Sequence, residues 1–344
     1  MGVKVVCDRL TPDVRQSRPA DVLVADWERG RPAAWDVTVT SPLTPALLNE
    51  VGMTASAAAA FTEQHNHTPM IQLVVSAGGG RPHKAYKMDK DIHGIALIIS
   101  NTEFEEETQL NDRDGGDKDE QALQELFEML HYKAVHLKNL KAAQIERALK
   151  IVTGDVSFAG LTNHADIKKL ENLKANDCLV SPENDSFVLC VMSHGQEGEV
   201  VLGTDGEKFQ LHKIYQIVGD CKMLSNKPKM VFIQACRGGG VPQADGDRVE
   251  KPADFFTSFP TFKDHAAFRD GDSSGSWYVK DLCSVLKESY ITTDLESMVK
   301  EVHNKLRDRW STEGDGKKVC QVPEKRDTLR FNVYFQLKES QSIS

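Results

Sequence analysis

Apolar residues fall into two kinds of pattern along this chain, and the two alternate. "GIALIIS" (94–100), "SFVLCVM" (186–192) and "KMVFIQA" (229–235) are unbroken apolar runs of strand length, the pattern of strands covered on both faces. Between them, spacings of three and four take over. "DKDEQALQELFEMLHY" (117–132) places Leu123, Leu126, Phe127 and Leu130 on one stripe, and Asp117 with Glu120 three residues later suits its start. "KAAQIERALKIV" (141–152) and "LHKIYQIV" (211–218) read as two more helices. Further on come "DFFTSF" (254–259) and then helices starting near Trp277 and Asp294. The second of these carries Leu295, Met298, Val299, Val302 and Leu306 on one stripe, and "FNVYFQL" (331–337) reads as a closing strand. Strand–helix alternation of this kind predicts an α/β fold, a mostly parallel sheet flanked by helices on both faces.

The first 83 residues follow neither pattern. They hold seven of the thirteen prolines and little helical periodicity, with possible strands at "DVLVADW" (21–27) and "AAWDVTVT" (33–40). "AGGGRPHK" (77–84) closes them like a hinge, so 1–83 is an atypical N-terminal region with no function legible in it.

Composition narrows the classes. A formal net charge of -9 on 344 residues argues against a general binder of nucleic acid or acidic membrane. The longest apolar stretch, "VGMTASAAAAF" (51–61), is alanine-rich and far short of a membrane span. "MGVKVV" opens no secretion signal, and Val6 stands where myristoylation wants Ser or Thr. The seven cysteines are odd in number and form no Cys-x-x-Cys pair, the usage of reduced thiols in the cytoplasm. His65 and His67 in "EQHNH" read as polar loop, and "AGGGRP" (77–82) lacks the Lys-Ser/Thr ending of a phosphate loop. No metal or organic cofactor is implied.

Two strand ends carry the chemistry. "VLCVM" runs into Ser193-His194-Gly195, and "VFIQA" runs into Cys236 followed by Arg237 and three glycines. In doubly wound sheets reacting groups collect beyond the carboxyl ends of strands. One crossover helix separates the two ends, so His194 and Cys236 can face each other, the thiol attacking as thiolate with the imidazole sharing its proton. The N–H groups of Gly195 and Cys236 could hold the oxyanion of a tetrahedral intermediate. Gly238–Gly240 would let the chain leave the site sharply.

"SHGQEG" (193–198) and "FIQACRGG" (232–239) resemble the two signature stretches of the caspases, cysteine endopeptidases that cut after aspartate. The resemblance extends through "YKMDKDIHGIALIIS" (86–100), "NDRDGGDKD" (111–119), "FRDGDSSGSWYVKDLC" (268–283) and "YFQL" (334–337), covering roughly residues 84–344. It implies a central, mostly parallel six-stranded sheet with helices on both faces, a large subunit at 84–245 and a small subunit at 246–344. It implies Cys236 as nucleophile, His194 as general acid/base and Gly195 in the oxyanion hole. Arg113, Gln234 and Arg269 match the family's pocket for an aspartate carboxylate, with Ala267 and Phe268 lining the neighbouring subsite. Two guanidiniums can clasp one carboxylate through paired charge-assisted hydrogen bonds, and such a pocket rejects neutral residues by leaving its own donors unpaired. Asp245 or Asp247 would be the activating cut. The partners implied are protein substrates and a second copy of the chain, paired through "RFNVYFQL" (330–337), in apoptosis, with neither nucleic acid nor membrane.

Three features depart from the family pattern. Ala267-Phe268-Arg269 stands where Ser-Trp-Arg is usual; residues 153–183 exceed the usual length by about twenty and read as a tolerated surface excursion; and 1–83 shows no death-fold pattern. Two rival readings stay open at this stage: a catalytically weak decoy that binds a catalytic partner, and a metacaspase-like protease, which would want acids where Arg113 and Arg269 stand.

Overall fold

The computed structural model describes residues 33–38, 70–75, 85–237, 253–263, 265, 267–269, 274–312 and 318–335. The chain divides into two compact units, Met1–His83 and Lys84–Ser344. In the first, Ala33–Thr38 pairs antiparallel with Met70–Val75. The strand expected at 33–40 is therefore present, whereas that at 21–27 lies outside the described residues.

The second unit is built on a six-stranded sheet whose strands, in chain order, are β1 (Gly94–Ser100), β2 (Tyr132–Lys138), β3 (Ser186–Met192), β4 (Lys229–Gln234), β5 (Phe255–Phe259) and β6 (Glu324–Asp327). Their order across the sheet is β6-β5-β4-β3-β1-β2. Only β6 runs antiparallel to its neighbour. The three apolar runs form the middle strands β1, β3 and β4, and every one of their residues is buried.

Alternation of side chains divides these strands between two cores. Ile95, Leu97, Ile99, Phe187, Leu189, Val191, Val231 and Ile233 face one layer, which contains helices α2 (Ala142–Val152) and α4 (His212–Gly219). Ala96, Ile98, Val188, Cys190, Met192, Met230 and Phe232 face the other, which contains α1 (Gly116–Met129), α5 (Trp277–Ser289) and α6 (Leu295–Asp308). The last two helices begin as expected. Ser276 and Asp294 are their N-caps, with side chains accepting from Val279 N and Ser297 N.

The structure departs from expectation in three places. The helix expected to reach Tyr132 stops at Met129, His131 turns the chain at a φ of 60°, and Tyr132 already opens β2. Residues 331–335 of "FNVYFQL" do not form the sixth strand, which comes from Glu324–Asp327, and 336–337 lie outside the described residues. Val333 and Phe335 are instead buried in the helical core, and the local backbone bonds go to Tyr86 N and Leu295 N, through Asn332 O and Val333 O, both at 2.9 Å. Nor is 153–183 a loose excursion. It includes the short α3 (His164–Lys169), and Leu170, Leu173, Cys178 and Val180 are buried against the α2 face, so its apolar residues join the core.

Candidate active site

Parallel register brings three strand ends level. Ser100 lies opposite Met192, and Met192 opposite Gln234. The residues that follow, beginning at Asn101, Ser193 and Ala235, therefore emerge at the edge where such sheets bind ligands.

Asn101 anchors this edge from beneath. Fully buried, its side-chain NH2 donates to Leu140 O (3.1 Å) and Leu202 O (3.2 Å), and its side-chain oxygen accepts from Leu140 N (2.9 Å). Ser193 Oγ donates to Leu202 O at 2.6 Å, and Leu202 N donates to His194 O at 2.9 Å. A small three-stranded sheet (195–196, 200–202 and 208–210) thus starts directly after the histidine and fixes its backbone.

The His194 ring packs against Phe104 with centroids 4.7 Å apart, and Nε2 lies 2.7 Å from Asn111 O. A carbonyl only accepts, so Nε2 carries the hydrogen and Nδ1 of the neutral ring is left as a base. Burial, reinforced by the charges of Arg113 and Arg269, holds the imidazole below its ordinary range, against the opposing pull of the Asn111 bond and Asp112. That direction favours the uncharged ring at neutral pH. Gly195 lets the two strand ends meet, since a Cβ there would lie 1.9 Å from Cys236 O and 3.0 Å from Ala235 Cβ.

Cys236 is half-buried, and its sulfur accepts from Ala267 N at 3.5 Å. The six described cysteines are free thiols. Burial pushes Cys283 up to about 12 and Cys190 well above its ordinary value, which makes both inert packing. The next residue, Arg237, is buried between Glu199 (3.1 Å) and Glu324 (2.6 Å) and lies over the Phe259 ring, 4.2 Å from its centroid. That clamp fixes the chain where it leaves the cysteine.

Beside the cysteine lies a cationic pocket. Arg113 is 2% exposed, and only its Nη1 is engaged, donating to Asn101 O at 2.7 Å; Nε and Nη2 have no partner among the described residues. Burial first, and then the charge of Arg269, pull Arg113 down to about 9, while Asp119 and Cys236 pull the other way. Arg269 is lowered by burial too. Gln234 is buried with its side-chain oxygen unpaired. The buried Asp119 faces both guanidiniums electrostatically, and it accepts from Ser276 N at 2.8 Å, opposite Arg269 in a short bridge. Guanidinium hydrogens that no group among the described residues satisfies, in a pocket of net positive charge, are suited to a carboxylate from outside.

Ala267, Phe268 and Arg269 form one extended segment alongside. Phe268 N donates to Gln321 at 2.7 Å, Phe268 O accepts from Trp277 N at 3.3 Å, and the Phe268 and Trp277 rings lie 5.3 Å apart. Of the expected site residues, His194, Gly195, Cys236, Arg113, Gln234, Ala267, Phe268 and Arg269 share this one edge; Asp245 and Asp247 lie outside the described residues, as do His65 and His67. Asn111, Phe104, Asp119 and Gln321 escape a reading of the sequence. Asn111 contributes a backbone carbonyl, which no residue type signals. Asp119 looks like one more surface acid of "DKDEQ", and Gln321 stands in no motif.

The model of the caspase domain matches residues 93–334, more than half of the chain. The chain belongs to the caspase family. It is 32% identical to caspase-2 of Gallus gallus over 254 residues, covering 66% of this chain and 54% of that protein. It is 31% identical to caspase-8 of Mus musculus over 282 residues, covering 73% and 53%. The chain thus spans about half the length of these two relatives. Caspase-3 of Bos taurus is 28% identical over 268 residues, covering 73% and 88%. The crystal structure of caspase-1 from Spodoptera frugiperda shares the fold, with a TM-score of 0.59 at 24% identity over 76% of this chain and 97% of that one. The sheet described above is thus the caspase α/β fold. No helix among the described residues is long and apolar enough to cross a membrane.

Proposed function

We propose that this caspase-family chain is a cysteine endopeptidase that hydrolyses peptide bonds after aspartate. Arg113 carries the reading: a buried guanidinium with two unengaged nitrogens, beside Arg269, Gln234 and the half-buried Cys236. An aspartate carboxylate supplies the missing acceptors and the missing negative charge. Glutamate is one methylene too long for the same grip.

In this reading the Cys236 thiol gives its proton to His194 Nδ1, and the thiolate attacks the carbonyl carbon after the bound aspartate. The oxyanion that forms is held by the amides of Gly195 and Cys236. His194 returns the proton to the leaving amine as the C–N bond breaks, which leaves a thioester. Water then attacks the thioester, gives a proton to His194, and the Cys236 thiol is restored as the acid departs. Asn111 O keeps the imidazole in the required tautomer throughout.

Family membership supports protein substrates, apoptotic proteolysis in the cytoplasm, activation by a cut at Asp245 or Asp247 between the large and small subunits, and a two-fold dimer. We assign the dimer contact to the outer edge of β6, since Val333 and Phe335 of "RFNVYFQL" are packed in the helical core.

The test is a tetrapeptide panel ending in Asp, Asn, Glu, Lys or Arg, run with the wild type and Cys236→Ala. Turnover of Asp about 10⁴-fold above Asn, lost in Cys236→Ala, is the expected result. Turnover of Lys or Arg would turn the assignment toward metacaspases. Silence across the panel after cleavage at Asp245 or Asp247 would favour a decoy.

A further inference from the structure

The segment Ala267–Arg269 carries one of the two pocket guanidiniums yet belongs to no sheet of three or more strands. Among the described residues, Ala267 N reaches the Cys236 sulfur at 3.5 Å, Trp277 N reaches Phe268 O at 3.3 Å, Arg269 Nη1 reaches Asp114 O at 3.5 Å, and Arg269 bridges Ser276. The shortest of the segment's described hydrogen bonds comes from a residue that lies 53 positions away: Phe268 N donates to Gln321 Oε1 at 2.7 Å.

Gln321 is fully buried, and its amide is engaged at both ends, with Nε2 donating to Pro260 O at 2.7 Å. Pro260 directly follows β5, and the adjoining residues Phe259 and Thr261 both contact Arg237, the residue after Cys236: the ring lies beneath the guanidinium and Thr261 O accepts from it at 3.4 Å. One primary amide therefore connects the rigid sheet end beside the cysteine to the middle residue of the segment that presents Arg269. An amide suits this place because it offers one acceptor and one donor on the same planar group. A hydrophobe of equal size fills the space but makes neither bond.

We propose that Gln321 is a positioning residue for the aspartate pocket, setting the register and distance of the Ala267–Arg269 segment relative to Cys236 and so the spacing of Arg269 from Arg113. The assignment rests on the aspartate-directed reading above. Its effect is on recognition: a misplaced guanidinium weakens the clasp on a carboxylate while the His194–Cys236 pair keeps its own supports. Sub-ångström to ångström shifts of such groups cost about tenfold to a hundredfold in specificity constants.

The experiment compares the full chain with Gln321→Met, which keeps volume and loses both hydrogen bonds. Rates are expressed per active site titrated with an alkylating probe, on Asp- and Glu-ending peptides. We expect KM for the Asp peptide to rise about tenfold or more and the Asp-over-Glu preference to fall by a similar factor, with kcat within about threefold. Amide hydrogen exchange is followed in parallel, and Phe268 is slow in the wild type and fast in the variant. A lower melting temperature with KM and preference unchanged per titrated site would reduce Gln321 to a packing residue and overturn the proposal. Rapid exchange of the Phe268 amide in the wild type would overturn it even if the variant fails to fold. If the wild type turns over no peptide, the aspartate-directed reading fails on its own, and the exchange comparison still decides whether Gln321 holds the segment.

Discussion

In the proposed pocket, Arg113 would serve recognition at a cost in stability. Buried guanidinium nitrogens with no partner among the described residues are costly, because the group has left water without full compensation. In Arg113→Met the chain should lose at least about 10³-fold in kcat/KM on Asp-ending peptides, as a charge-assisted clasp disappears. Its unfolding free energy should hold or rise by about 1 kcal/mol, because the uncompensated charge goes with it. Urea titration of the empty protein and steady-state kinetics check the two halves. A large loss of stability would mean that Arg113 is chiefly structural.

Among the elements, the strand ends of β3 and β4 decide whether a site exists. They run parallel and in register, so His194 and Cys236 are placed by the same hydrogen-bonded ladder that builds the sheet. Gly195 is where the two approach most closely. Gly195→Ala sets a Cβ against the Cys236 carbonyl, backbone that no rotamer change can move aside. The expected outcome is a fall in kcat of about 10²–10³-fold, as the oxyanion donors are displaced. Stability should fall by about 1–3 kcal/mol through the forced separation of the strands. Kinetics per titrated thiol alongside thermal unfolding tests this, and near-normal kcat would show that the two ends need not touch.

For the molecule as a whole, acid is the condition to examine. His303 on α6 is held down to about 4 by burial and then by the charge of Lys325 on β6, and its Nε2 has no partner among the described residues. Its ordinary value is 6.5, so between pH 6.5 and about 4 the unfolded chain binds a proton there that the folded chain does not. Stability from this group is present above pH 6.5 and is lost as pH falls through that window. With the ring part-exposed, screening leaves about 1–2 kcal/mol of the full effect. Denaturant midpoints measured from pH 7 to pH 4 should fall in the wild type and fall less in His303→Gln; parallel curves would exclude the residue as a source of acid sensitivity.

How much was legible beforehand follows from burial. Strands β1, β3 and β4 are covered on both faces, so they had to be continuous apolar runs, and the helices facing them had to carry stripes. The two outermost strands escaped for the complementary reason. β2 mixes exposed and buried positions and follows a helix after a turn of only Leu130 and His131, and β6 is "EKRD", four charged residues at an edge that need not be apolar. "FNVYFQL" is apolar enough to mimic a strand, yet its Val333 and Phe335 are buried in the helical core. The residues of the proposed site were legible where chemistry demands a residue type at a strand end: His194, Cys236, Gly195. What the sequence by itself determined was therefore the central sheet, its helical cover and the candidates proposed as reacting groups, because each is written in residue type and period. Only the tertiary structure decided which carbonyl orients the imidazole, which buried amide holds the Arg269 segment, which acid faces the two guanidiniums and which segment ends the sheet. Asn111, Gln321, Asp119 and β6 act through backbone atoms, distance and burial, and those come into being only when parts of the chain far apart in sequence are brought together.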